Sequence, residues 1–195
     1  MTEKFAIGRR GTLKAGIAAA LAGVAPRMAL AQDAEAGQRV VVFLSRSGNT
    51  RVLAGALARR YGADLFELRP RDPWPQDYEE MVAWASELRE SDVDVPLAET
   101  LDGIEGYRTV FLGFPVWGTD LPAVTRSFLR SHDLSGKTVV PFITYGSSGA
   151  GNSMRTVRAL APDARFIEPF VLQCDQERST LESLDEWLGG IGEPL

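Results

Sequence analysis

Cysteine is almost absent from this 195-residue chain, with Cys174 standing alone. One cysteine excludes an internal disulfide and any Cys-x-x-Cys pair, and no cluster of metal ligands accompanies it, so dithiol redox chemistry and structural zinc drop out. The thiol reads as a buried or half-buried side chain. Histidine is equally scarce: His132 is the only one, and it falls at the predicted C-terminus of a helix, where an imidazolium suits the dipole. Ser148 lies between Gly146 and Gly149, but Ala150 breaks Gly-x-Ser-x-Gly, and His132 precedes the serine, opposite to the hydrolase order. Ser135-Gly136-Lys137-Thr138 imitates the end of a nucleotide P-loop, yet Ser131 stands where that motif needs glycine and the run precedes a strand. No catalytic residue and no metal ligand is assigned.

A positive balance of charge is also lacking outside the N-terminus. Residues 1 to 31 carry Lys4, Arg9, Arg10, Lys14 and Arg27 against Glu3, a net of +4; removing that from the overall −5 leaves −9 on the remainder. Such an acidic body argues against nucleic acid, whose phosphates would repel it, and for solubility or a basic partner. Within the basic N-terminus, Gly8-Arg9-Arg10-Gly11-Thr12-Leu13-Lys14 leads into the small apolar run Ala15 to Ala25 and then Ala29-Leu30-Ala31. A basic region, an apolar stretch too short to span a bilayer comfortably, and an Ala-x-Ala site predict a secretory signal over 1–31, cut near Ala31. The paired arginines resemble the twin-arginine type. The reading is then a short linker over 32–37 and one domain over 38–192, periplasmic or otherwise exported and without a stable membrane anchor.

What is present is organised around Val40-Val41-Val42-Phe43-Leu44-Ser45-Arg46-Ser47-Gly48-Asn49-Thr50. An apolar, β-branched run of strand length feeds a short polar loop, and Leu53, Leu57 and Ala58 continue at helical spacing. Ser45, Ser47, Asn49 and Thr50 offer neutral donors, and Gly48 lets backbone amides crowd a ligand. The helix that starts there points its unpaired amides into the loop, a geometry that selects an anion such as a phosphate monoester.

Placed directly after a buried first strand, Ser45-Arg46-Ser47-Gly48-Asn49-Thr50 resembles the phosphate loop of flavodoxins, which holds the 5′-phosphate of FMN. The resemblance runs through nearly the whole chain after residue 37 and recurs at two later loops. Thr109 to Phe114 reads as a central parallel strand covered on both faces. It empties into Pro115-Val116-Trp117-Gly118-Thr119, where Trp117 supplies a flat aromatic surface and Gly118 can reverse its peptide at low steric cost. This run resembles the flavin-side loop of a flavodoxin subfamily written Pro-Ile-Trp-Trp-Gly-Thr, with one tryptophan in place of two. The strand Thr138 to Ile143 ends in Thr144-Tyr145-Gly146-Ser147-Ser148-Gly149. The resemblance makes this the other flavin-contacting loop, with Tyr145 on the ring face opposite Trp117.

Elsewhere, Asp64 to Leu68 reads as a short edge strand. A helix is expected from about Asp77 to Glu90, with Tyr78, Met81, Val82, Ala85 and Leu88 as a core stripe. Ser91 to Gly106 reads as a long acidic loop, and Asp120 as the N-cap of a helix with Pro122 in its first turn. A fifth strand near Phe166 to Leu172 and a last helix with Leu181, Leu184, Trp187 and Leu188 follow. Five strands alternating with helices give a three-layer α/β sandwich, and the resemblance implies a parallel sheet in the order 2-1-3-4-5.

The resemblance also implies a function. It assigns Ser45, Arg46, Ser47, Gly48, Asn49 and Thr50 to the cofactor phosphate, and Pro115, Val116, Trp117, Gly118, Thr119, Thr144, Tyr145, Gly146, Ser148 and Gly149 to the ring of FMN. The twin-arginine machinery exports folded proteins, which suits a cofactor made in the cytoplasm and held noncovalently. The expectation is an exported FMN protein that passes electrons between redox partner proteins or small acceptors. The alternatives are an FMN-dependent reductase of quinones or nitro-compounds that uses NADH or NADPH, and a fold of this type that binds no flavin.

Overall fold

The computed structural model describes residues 38–174 and 177–192. The predicted signal over 1–31 and the linker over 32–37 lie outside the described residues. In chain order the strands are β1 (Arg39–Phe43), β2 (Asp64–Glu67), β3 (Thr109–Pro115), β4 (Thr138–Tyr145), β5 (Arg165–Phe166) and β6 (Phe170–Gln173). The helices are α1 (Asn49–Tyr61), α2 (Tyr78–Ser91), α3 (Ala123–Ser131), α4 (Ser153–Leu160) and α5 (Glu177–Ile191), and a 3-10 turn spans Ile104–Gly106.

The strands of the sheet pair in parallel, in the order β2-β1-β3-β4-β5. β6 pairs the same edge of β4 further along, Phe142 facing Phe170. The predicted fifth strand therefore comes in two pieces. Pro169, which has no N–H for the ladder, sits between them.

Alternation along β1 explains the three layers. Val41 and Phe43 turn to one face and pack with Leu53, Ala54 and Leu57 of α1, with Phe111 and Phe142, and with Leu184 and Leu188 of α5. Val40, Val42 and Leu44 turn to the other and join Val110, Leu112, Phe114, Val124 and Phe128. Residues one apart on a strand point to opposite faces, so a continuous apolar run signals a strand covered on both. Each such Val, Leu or Phe contributes about 1.5–3 kcal/mol by burial.

Two expectations need correction. Met81 is 4% exposed, but Tyr78 is 65% and Val82 44% exposed, so the stripe on α2 is not wholly core. The helix packs beside α3 and turns Trp84 and Leu88 to the core, while Tyr78 and Val82 face outward. Asp77 does cap α2, accepting from the N–H groups of Glu79 (2.9 Å) and Glu80 (3.1 Å). Asp120, by contrast, is not the N-cap of α3; Pro122 holds that position. The Asp120 carboxylate is drawn elsewhere, to the Leu121 N–H (2.7 Å) and the Thr156 hydroxyl (2.8 Å).

Candidate functional site

β1, β3 and β4 end side by side, and the loops that leave them converge. In the first loop Ser45 is 3% exposed, and its Oγ accepts from the backbone N–H of Gly48 (3.2 Å) and of Arg51 (3.3 Å). Ser45 thus folds the loop back on itself, while its own proton stays available to a further acceptor. Gly48 has φ 101°, a left-handed conformation that a side chain would strain. The first α1 bond runs from the Val52 N–H to the Gly48 carbonyl (3.0 Å), so helix geometry leaves the Asn49 and Thr50 amides with no acceptor one turn back. The first turn of α1 contains no acidic residue to compete for them. Ser47 and Asn49 are exposed and joined at 3.4 Å, whereas Thr50 is buried, its hydroxyl 2.8 Å from that of Thr144.

The second and third loops are bolted together. The Val116 N–H donates to the Thr144 carbonyl (2.8 Å), the Asn152 N–H to the Thr119 carbonyl (2.8 Å), and Asp120 holds Thr156 as above. Trp117 and Asp120 close a tight turn around Gly118, which has φ 69°. The Arg89 guanidinium from α2 lies where a Cβ on Gly118 would stand. Gly118 is therefore constrained by its backbone angle, whereas the arginine over it is the end of a flexible side chain.

Two adjoining hollows open at these loops. The first, of about 300 Å³, is lined by Ser45, Arg46, Arg51, Glu67, Arg69, Pro70, Pro73 and Trp74. The second, of about 230 Å³, has Met81, Val82, Ala85, Val116, Trp117 and Gly118 in its wall, with Arg46 and Arg89 at its edge. Arg46 borders both. Trp74 of the first touches Trp117 of the second edge-on, with ring centroids 6.1 Å apart at 89°, and Trp84 meets Trp117 from another side at 6.4 Å.

Electrostatics at the first hollow centres on Glu67, which bridges Arg51 and Arg69, the latter at 2.6 Å. Partial burial pushes the Glu67 carboxyl upward, but the hydrogen bonds and charges of Arg69 and Arg51 outweigh it and hold the group below its ordinary 4.5. Beside the neutral donors of Ser45, Ser47, Asn49 and Thr50, the guanidinium groups of Arg46, Arg51 and Arg69 thus flank the loop.

The sequence-derived site residues separate into two sets. Ser45, Arg46, Val116, Trp117 and Gly118 line the hollows, and Thr50 and Thr144 lie buried together beneath the loops. Pro115 closes β3 and Thr119 fastens the turn through its carbonyl. Tyr145 is half-buried at the end of β4, where its carbonyl accepts from the Cys174 N–H (2.9 Å), and it lines neither hollow. The same holds for Gly146, Ser148 and Gly149. Sequence reasoning overlooked Arg51, Arg69, Trp74, Trp84 and Arg89. Trp74 alone carried a signal, an aromatic set between Pro73 and Pro75 in a segment that cannot be helix.

The family model described as Flavodoxin matches residues 38–191. The chain belongs to the flavodoxin family. Its flavodoxin-like α/β fold recurs in solved structures. A protein of Bacteroides eggerthii DSM 20697 assigned as a flavoprotein is 29% identical over 79% of this chain and 97% of its own, with a TM-score of 0.66. A Bacteroides uniformis ATCC 8492 counterpart is 24% identical over 76% and 98%, at 0.67. The flavoprotein of Lactobacillus acidophilus NCFM, solved in complex with FMN, shares the fold at 16% identity over 77% and 98%, at 0.60. No curated protein matches the chain significantly. Within this flavodoxin family member, the ends of β1, β3 and β4 form the crevice at which open parallel sheets bind ligands, a general placement of which flavodoxins are themselves a known example.

Proposed function

We propose that this protein is an exported electron carrier that holds FMN and passes electrons between redox partners. FMN is the cofactor, supported by family membership and by the FMN complex among the structural neighbours. The observation that carries the reading is the pair of hollows joined at Arg46, one holding Ser45 and Arg51 at the start of α1, the other holding Val116, Trp117 and Gly118. A dianionic phosphate suits the Ser45 loop with its helix amides and flanking arginines, and a flat ring suits the Trp117 loop, so the residues present fit the group.

When bound, FMN supplies the electron-accepting chemistry, and the protein supplies placement. The Asn49 and Thr50 amides, the Ser45 proton and the positive end of α1 hold the phosphate. Val116, Trp117 and Gly118 shield the ring from water, and the Thr144–Thr50 and Asn152–Thr119 bonds keep the three loops in register. Mass spectrometry of flavin released from purified protein tests the cofactor: FMN is expected, and FAD as the main species overturns the assignment.

Export rests on the arginine pair and the Ala-x-Ala site. Changing Arg9 and Arg10 to Lys is expected to leave the chain unprocessed in the cytoplasm; normal trimming near Ala31 in that variant removes the twin-arginine reading.

The rival reading, an FMN-dependent NADH or NADPH reductase of quinones or nitro-compounds, is favoured by one feature, the apolar wall of Met81 and Val82 beside Trp117, on which a flat substrate can lie. Stopped-flow reduction separates the two. Slow reduction by either nicotinamide with ready one-electron exchange supports the carrier, and fast hydride reduction supports the reductase.

A further inference from the structure

Asp92, directly after α2, is the one non-glycine among the described residues with a left-handed backbone, at φ 50°. Glycine ends helices in this way at no steric cost, so an aspartate there points to a use for its carboxylate. That carboxylate is gripped by α3, where Arg126 and Arg130, four residues apart, share a face of the helix. One Arg130 nitrogen donates to both Asp92 carboxylate oxygens (2.8 Å each), and the other to the Asp92 carbonyl (3.1 Å) and the Asp94 carboxylate (2.6 Å). Arg126, 6% exposed, donates to the Leu88 carbonyl in the last turn of α2 (2.5 Å) and lies 3.6 Å from the Asp92 carboxylate. The hydrogen bonds of Arg130 hold the Asp92 carboxyl below its ordinary 3.8, so it stays ionised where a free aspartate would take up a proton.

The clasped helix forms one wall of the hollow beside Trp117, the ring-end hollow. Met81, Val82 and Arg89 reach it from α2, and Trp117 and Gly118 from the loop after β3, so the distance between helix and loop is the width of the hollow. Met81 is the one buried side chain of α2, so apolar burial alone fixes this helix less firmly than α1 or α3, each of which buries several. The opposite wall is tied to the same anchor, because α3 follows the Trp117 loop in the chain and starts at Ala123.

We infer that Asp92, Arg126 and Arg130 are positioning residues for the cofactor: by clasping the end of α2 to α3 they set the width of the ring-end hollow, on the reading above that the ring of FMN lies there. None of the three lines that hollow, so they act through α2 and not by contact. Loosening the clasp lets α2 move outward and admits water to the apolar wall, which speeds the departure of a flat ring held against it.

Two arms test it, and the first needs no flavin. Trp84 on α2 and Trp117 on the loop meet with ring centroids 6.4 Å apart at 67°, so their coupled circular dichroism in the far ultraviolet reports how close helix and loop lie. Taken in each chain as the difference made by Trp84→Phe, that couplet is expected to weaken in Asp92→Asn, Asp92→Gly and Arg130→Gln. It should stay unchanged in Asp185→Asn, which breaks an exposed pair between α5 and Arg60. Asparagine tolerates the left-handed backbone and glycine relieves it, so equal effects place the cause in the carboxylate. An unchanged couplet in Asp92→Asn and Arg130→Gln overturns the clasp, as does an unweakened one in Asp92→Gly.

In the second arm, release of FMN from the holoprotein is followed by the return of flavin fluorescence. Asp92→Asn and Arg130→Gln are each expected to speed release about two- to fivefold, the size of an exposed ion pair. The double variant should be no faster than the quicker single one, since both act through one clasp. Rising salt should narrow the gap between these variants and the unaltered protein. Unchanged release despite a weakened couplet overturns the hold on the hollow, and fully additive effects overturn the shared clasp. A weakened couplet in a chain that takes up no flavin keeps the clasp and sinks the carrier reading instead.

Discussion

The hydroxyls of Thr50 and Thr144 lie 2.8 Å apart in a buried pair that joins the first loop of the cleft to the end of β4. One proton serves their mutual bond and the other remains for a third acceptor, so the pair fastens the loops and keeps one donor to offer. Thr50→Val should strand the Thr144 hydroxyl, at a cost of about 1–3 kcal/mol in urea unfolding, and weaken FMN binding as well. Thr50→Val with Thr144→Val should recover much of the stability but none of the affinity. Full recovery of FMN binding in the double variant would show that neither hydroxyl serves the phosphate.

Gly118→Ala is strained by its backbone. The left-handed φ of 69° costs an L side chain about 1–2 kcal/mol, whereas the Arg89 guanidinium over it is the end of a flexible side chain that can swing aside. Gly118→Ala with Arg89→Ala should therefore recover little. Thermal unfolding of the two single variants and the double variant reads this directly: the effects should add, and a large favourable coupling would place the strain at the arginine instead.

Acid stability should depend on Glu67. Its folded-state pKa is held below the ordinary 4.5, so the unfolded chain takes up its proton first as the pH drops. The stabilisation is present above about 4.5 and is lost as the pH falls through the lower folded value. Glu67→Gln should remove that component and flatten the acid limb of a stability–pH profile. On the alkaline side, the hydrogen bond from the Tyr107 hydroxyl to Asp64 (2.7 Å), with partial burial, pushes the phenol up to about 12. That contribution is complete below 10, the ordinary value, and is lost as the pH climbs through about 12, so Tyr107→Phe should flatten the alkaline limb.

Trp117 and Tyr145 should contribute unequally to cofactor binding. Trp117 lines the ring-end hollow and is braced by Trp74 and Trp84, whereas Tyr145 lines neither hollow. Flavin-fluorescence titration of Trp117→Ala should show about a tenfold or greater loss of affinity, from an aromatic contact plus lost burial, and Tyr145→Ala a smaller one. Equal losses would support a ring held between both side chains.

The sequence by itself determined the sheet and the position of the cleft. Val40 to Leu44, Thr109 to Phe114 and Thr138 to Ile143 are runs whose every residue must be buried, which only a central strand covered on both faces provides, and each is followed within four residues by a glycine. Those signals are local: side-chain volume, branching and the backbone freedom of Gly48 and Gly118 act within a few residues. Tertiary structure alone decided matters of long-range placement. It left Tyr78 and Val82 outside, because helical periodicity marks an apolar face but not how wide the neighbour covering it will be. It took Asp120 from the N-cap of α3 to Thr156, 36 residues away, and split the last strand at Pro169, where β4 is met twice. Most of all, it gathered Arg46, Arg51, Arg69 and Arg89 around one cleft of an acidic chain. Net charge is a sum over residues and carries no direction; the fold supplies the direction.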